Sequence, residues 1–108
     1  MPRKPKVRWS RLAERDFDRT HAYWMDQSPR TAARFAKAVL QAVRRAQDSP
    51  DAGAPLRELG PSPLYRAMSA IWYYRVVYRV EDDLLLVFRI WDARREPEAL
   101  VPDQPLAE

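Results

Sequence analysis

Residues 72–91 read WYYRVVYRVEDDLLLVFRIW, two runs of branched, aromatic and leucine side chains on either side of the acidic break Glu81, Asp82 and Asp83. Branched and ring side chains suit a pleated surface, and three consecutive acids between two such runs mark a turn, so the stretch is a β-hairpin. Its register is constrained by what each face must carry. With the three acids as the loop, Val80 faces Leu84, Tyr78 faces Leu86, Val76 faces Phe88 and Tyr74 faces Ile90, and every pair is apolar. The same register sets Arg79 opposite Leu85, Val77 opposite Val87, Arg75 opposite Arg89 and Tyr73 opposite Trp91 on the other face. A two-residue loop would move the pairing by one and mix the faces, so a three-residue loop is expected, with an Asp in the left-handed position. Like charges directly opposite each other weaken a sheet, and Arg75 across from Arg89 therefore asks for a reason. An anion between them is one; both side chains splaying into water or meeting nearby carboxylates is the other. The arginine-bearing face is the candidate working surface.

Working outward from the hairpin, Leu64 to Ser69 is a further strand, and Lys6 to Trp9 (KVRW) alternates as a short first strand. Between them lie two helical patterns. From Leu12 to Asp26 the residues Ala13, Phe17, Thr20 and Trp24 share one face, and Ser10 is placed to cap the start. The second pattern opens with Ser28 as N-cap and Pro29 at the first helical position, carries Ala32, Ala36, Val39, Val43 and Ala46 on one stripe widened by Phe35 and Leu40, and ends near Gln47, before Pro50. A link of only Asp26 and Gln27 makes the pair an antiparallel helical hairpin. Residues 48–63 hold four of the ten prolines and both glycines, and read as a long irregular connection. The expected fold is α+β: an N-terminal strand and a helical hairpin packed on a mainly antiparallel four-stranded sheet, in the order β-α-α-β-β-β. Residues 1–108 make a single domain with a basic N-terminal arm (1–5) and a Pro-containing tail (92–108) that holds a helical turn near 96–100.

Composition excludes several functions. The chain has no cysteine and a single histidine, which removes disulfides, thiol nucleophiles and thiolate metal sites and leaves no basis for a metal centre or other cofactor. His21 has no carboxylate or serine partner at a useful spacing and reads as a helix-packing or solvent-facing residue. No run approaches the roughly 18 apolar residues of a membrane span, and residues 1–8 lack the apolar core of a signal peptide, so a cytoplasmic location is expected. The formal charge is +4, which favours an anionic partner, either nucleic acid or an acidic protein segment. Trp9, Trp24, Tyr74 and Tyr78 read as core. Tyr73 and Trp91 share the arginine face, where they can stack on a base or hold a partner's apolar side chains, and Arg94 and Arg95 extend the same basic surface.

The element order, with YYRVVYRV, an acidic turn, LLLVFRIW and ARR, resembles the RelE/ParE superfamily of toxins from type II toxin-antitoxin modules. The A-x-x-D-F spacing of Ala13 to Phe17, the SPRTAARF run of Ser28 to Phe35 and the DSPDAG break of Asp48 to Gly53 belong to the same resemblance, which covers nearly the whole chain. The resemblance implies one of two activities. RelE-like members cut mRNA on the ribosome without a metal, using basic side chains on the sheet and often a C-terminal Tyr; ParE-like members, linked to plasmid stabilization, poison DNA gyrase and lack that set. Carried over, Arg75 falls on the strand arginine and Arg95 on the basic position after the last strand. Met68 stands where a basic residue belongs on the second strand, with Arg66 two residues before it, and Val101 stands where the Tyr belongs. The helical hairpin and the ARR ending look more like ParE. The implied reading is a toxin that inhibits gyrase and is neutralised by an antitoxin with an acidic and apolar C-terminal segment, in a hetero-oligomer. Tyr73, Arg75, Arg89, Trp91, Arg94 and Arg95 would form its binding face. The alternatives are a ribonuclease using Arg75, Arg95 and Arg66 on ribosome-bound mRNA, and an inactive relative that only binds its antitoxin.

Overall fold

A computed structural model describes residues 4–96 and 99–100. Strand β1 (Lys6–Trp9) leads into helix α1 (Arg11–Gln27) and helix α2 (Pro29–Asp48); then follow β2 (Ala54–Pro55), a 3₁₀ turn (Arg57–Leu59), β3 (Arg66–Ser69), β4 (Tyr74–Glu81) and β5 (Leu84–Asp92). The strands form one sheet in the order β1-β5-β4-β3-β2, antiparallel except for the parallel pair β1 and β5. The expected class and element order are present. The sheet has five strands rather than four, because Ala54 and Pro55 in the 48–63 connection pair with Ala67 and Arg66. Val101 and most of the tail lie outside the described residues, as do two residues of the turn expected at 96–100; there, the Ala99 amide donates to the Glu96 carbonyl at 3.0 Å.

Both helices start where their caps put them. Ser10 Oγ accepts the Ala13 amide at 3.0 Å and donates to the Phe88 carbonyl at 2.6 Å, so one hydroxyl caps α1 and ties it to β5. Ser28 Oγ accepts the Thr31 amide at 3.3 Å at the start of α2. Helix α2 buries Ala32, Phe35, Val39, Ala42, Val43 and Ala46, against only Ala13 in α1. All of these except Ala32 meet Met68, Tyr74, Val76, Tyr78, Leu85, Val87 and Ile90 in the main core between helices and sheet. Across the sheet, Tyr65, Val77, Phe88, Trp91 and Leu100 form a second, smaller core. His21 packs as expected, stacked on Phe17 with ring centroids 5.9 Å apart.

The hairpin differs from its expected register. Glu81 pairs with Leu84, leaving a two-residue turn of Asp82 and Asp83, with Asp82 in the left-handed region at φ 55°. Tyr78 then pairs with Val87 but Val77 with Arg89, so Phe88 is an extra residue in β5, a β-bulge. In a regular ladder a two-residue turn would indeed mix the faces. The bulge removes that objection by restoring the alternation past Phe88, and it keeps Leu85, Val87 and Ile90 all on the helix side. Arg75 consequently pairs with Trp91 rather than Arg89, and Tyr73 does not face Trp91, since its carbonyl accepts the Ala93 amide. Strand β4 begins at Tyr74, two residues later than expected, because Trp72 turns the chain at φ 51°. That conformation costs a bulky side chain on the order of 1–3 kcal/mol. The Trp72 ring is held 5.2 Å from Trp24 and lies under the Arg34 guanidinium at 5.7 Å.

Candidate functional site

The bulge determines what the arginines do. Past Val87, strand β5 has no further pairing with β1, and α1 satisfies that edge: Ser10 takes the Val87 and Phe88 carbonyls and Asp16 Oδ2 accepts the Ile90 amide at 3.1 Å. The same carboxylate grips Arg89 with both oxygens, Nε to Oδ2 at 2.7 Å and Nη2 to Oδ1 at 3.0 Å. Both side chains are nearly out of water, at 10% and 13% exposure, so Arg89 is an internal brace rather than an open cation. The expected face-to-face arginine pair does not exist, and no anion is needed to explain it. Asp16 was legible only as the acid of the A-x-x-D-F motif; its partner lies 73 residues away, where no local spacing points.

What remains on the arginine face is a shallow surface around Trp91. The Arg89 and Arg95 guanidinium groups lie 5.4 Å and 4.8 Å from its ring centre. Arg75, Arg95, Trp91, Glu58, Ala67 and Leu100 are among the residues lining a hollow of about 110 Å³, far below the roughly 300 Å³ of a typical small-molecule site. Arg75 and Arg95 are exposed, while Trp91 is buried beneath them. At the rim, Arg94 covers the Tyr73 ring at 3.6 Å and is clamped by Asp92, Nε to Oδ1 at 3.0 Å and Nη2 to Oδ2 at 2.8 Å. That hydrogen bonding holds the Asp92 carboxyl below its ordinary range and pushes the Arg94 guanidinium further up. Glu58 is the residue that sequence reading missed, because it sits in the proline-rich connection and only the 3₁₀ turn brings it to the hollow.

Arg66 is elsewhere. Strand alternation puts it with Met68 on the helix side of β3, whereas Ala67 faces the hollow. Its guanidinium donates to the Asp51 and Gly53 carbonyls at 3.2 Å and 3.0 Å, across the sheet from Arg75 and Arg95. The buried Tyr78 works beside it, donating to the Pro50 carbonyl at 2.7 Å and accepting the Gly53 amide at 3.0 Å. Burial pushes the Tyr78 hydroxyl pKa up, so it stays a neutral tie. Gly53 has to be glycine here: a Cβ would stand 2.6 Å from the Tyr78 oxygen. Arg75 and Arg95 are thus brought together, Arg66 is not, and Met68 is core.

A two-helix layer on one side of a mainly antiparallel sheet, with a basic face on the other, is an architecture found among small toxins of toxin-antitoxin modules. The family model described as the ParE toxin of the type II toxin-antitoxin system, parDE, matches residues 7–97, and the chain belongs to that family. A solved structure of the chromosomal ParDE TA system from P. aeruginosa contains a chain with the same fold: TM-score 0.66, 20% identity, covering 81% of this chain and 94% of that one. No curated protein matches the sequence.

Proposed function

We propose that this toxin acts by binding, inhibits DNA gyrase, and is held inactive by a cognate antitoxin whose acidic and apolar C-terminal segment lies over its helices and sheet. The observation that carries this reading is the division of the three candidate ribonuclease arginines between opposite sides of the sheet. A phosphate in its transition state needs its cations converging on one point, and Arg66 is spent on two loop carbonyls. Arg75, Arg95, Arg94, Tyr73 and Trp91 supply aromatic and guanidinium groups of the kind that anchor protein interfaces, with Arg89 fixing Trp91 from below. No metal or cofactor has a role in this reading, and its target places the protein in the cytoplasm.

The test is expression without antitoxin. Gyrase-dependent DNA damage with intact ribosome-bound mRNA is the expected result, and the double variant Arg75→Ala, Arg95→Ala should weaken gyrase inhibition by tenfold or more. One observation favours a second reading, an mRNA endonuclease: Glu58 lines the same hollow as Arg75 and Arg95, and in that reading its carboxylate is the general base for a ribose hydroxyl. Cleaved transcripts that disappear in both Arg75→Ala and Glu58→Gln would replace the gyrase reading. Absence of any growth arrest would leave only antitoxin binding.

A further inference from the structure

Helix α2 carries a feature that neither proposed target, gyrase or mRNA, accounts for. Between Pro29 and Gln47 the sequence has five cations, Arg30, Arg34, Lys37, Arg44 and Arg45, and no acid. Steps of three and four residues place positions 30, 34, 37, 41, 44 and 48 on one stripe, directly opposite the buried Phe35, Val39 and Ala46. All five cations are exposed, but Arg45 turns off the stripe and donates to the Ser69 carbonyl; the four on the stripe, Arg30, Arg34, Lys37 and Arg44, run along about 21 Å of helix at 1.5 Å per residue, with Arg34 lying over the Trp72 ring. Among the described residues none of them has a carboxylate within ion-pair distance. Asp48, the acid that ends the stripe, is itself paired with Lys4 at 2.7 Å.

This arrangement works against the helix. Like charges three and four residues apart repel, and Arg30 in the first turn opposes the positive end of the helix dipole, with no acid in that turn to offset it. Helix α1 shows the ordinary solution, with Arg11, Glu14, Arg15, Asp18 and Arg19 alternating in sign on its exposed side. The stripe also has no apolar side chain, its only uncharged member being Gln41, whereas a protein partner is normally anchored on buried apolar or aromatic groups. Of the large exposed apolar residues nearby, Leu40 turns aside into a separate groove with Val7, Trp9 and Phe17, and Trp72 touches the stripe only at Arg34. Cations spaced along a straight rod, with an aromatic ring at one point only, match the charge of a phosphate backbone.

We infer that the outer face of α2 binds the phosphate backbone of duplex DNA without regard to sequence. This contact does not depend on which target the toxin poisons. Four phosphate contacts give a log-log salt slope near −3.6, so affinity for a labelled 20-base-pair duplex, read by fluorescence anisotropy with the full chain, should fall about 150-fold between 50 and 200 mM salt. The triple variant Arg30→Gln, Lys37→Gln, Arg44→Gln should keep its circular dichroism spectrum and lose only about 3-fold over that range, one contact remaining. A control with the same loss of net charge, Arg11→Gln, Arg15→Gln, Arg19→Gln, should retain the steep slope. Equal flattening in both variants would reduce the effect to net charge and overturn the proposal. So would absence of duplex binding at 50 mM salt, or tighter stripe-dependent binding of a polyglutamate peptide than of the duplex.

Discussion

The two sides of the sheet bury aromatic residues by different means. On the helix side, Phe35, Tyr74, Tyr78 and Val76 are enclosed by α2 and the strands, and the two tyrosine hydroxyls are tied, Tyr78 to the Pro50 and Gly53 backbone and Tyr74 to the Trp24 indole that donates to it. On the other side, no helix among the described residues lies over Tyr65, Phe88 and Trp91; Leu56 and Leu59 at the 3₁₀ turn, Leu100 and arginine guanidinium groups pack there instead. The difference teaches where this small domain can spare its surface. A closed core on one side supplies most of the stability, which leaves the other side free to carry exposed Arg75 and Arg95 around a hollow.

That comparison can be broken by substitution. Phe35→Ala should have the largest effect, about 4 kcal/mol in urea unfolding, because the fully enclosed site leaves a cavity that cannot collapse. A loss under 2 kcal/mol would mean the helix side is not the stabilising side. Asp16→Ala sits on the boundary between the two sides, and should cost about 3 kcal/mol by leaving the Arg89 charge nearly buried and the Ile90 amide without its acceptor. Asp16→Asn, which keeps an oxygen for Ile90, should lose less. Leu100→Ala, on the open side, should cost about 2 kcal/mol, since the gap it leaves lies on the hollow and can fill with water. It should raise amide exchange in the Trp91 region while leaving protection in α2 unchanged.

Much of this molecule is local and was readable as such. The caps at Ser10 and Ser28, Pro29 at the head of α2, and the 3.6-residue stripe from Ala32 to Ala46 need only near neighbours, and the structure has each of them. The identity of the hairpin and its left-handed Asp came from the same kind of information. The two-residue strand β2 escaped, since Ala54 and Pro55 have no strand signature apart from the β3 edge they meet. Trp72 escaped too: a tryptophan at positive φ is unfavourable on its own and persists only under the rings and guanidinium packed around it.

By itself the sequence determined the order of the helices and the longer strands, which residues of each are apolar, and that arginines line the last two strands. Only the tertiary structure decided which arginine serves what. A bulge at Phe88 is set by where β1 ends and α1 takes over the edge of β5, and that junction converts Arg89 from a surface cation into the partner of Asp16. Strand alternation then sends Arg66 and Arg75 to opposite sides, a distinction of a single residue in register that no count of cations can supply.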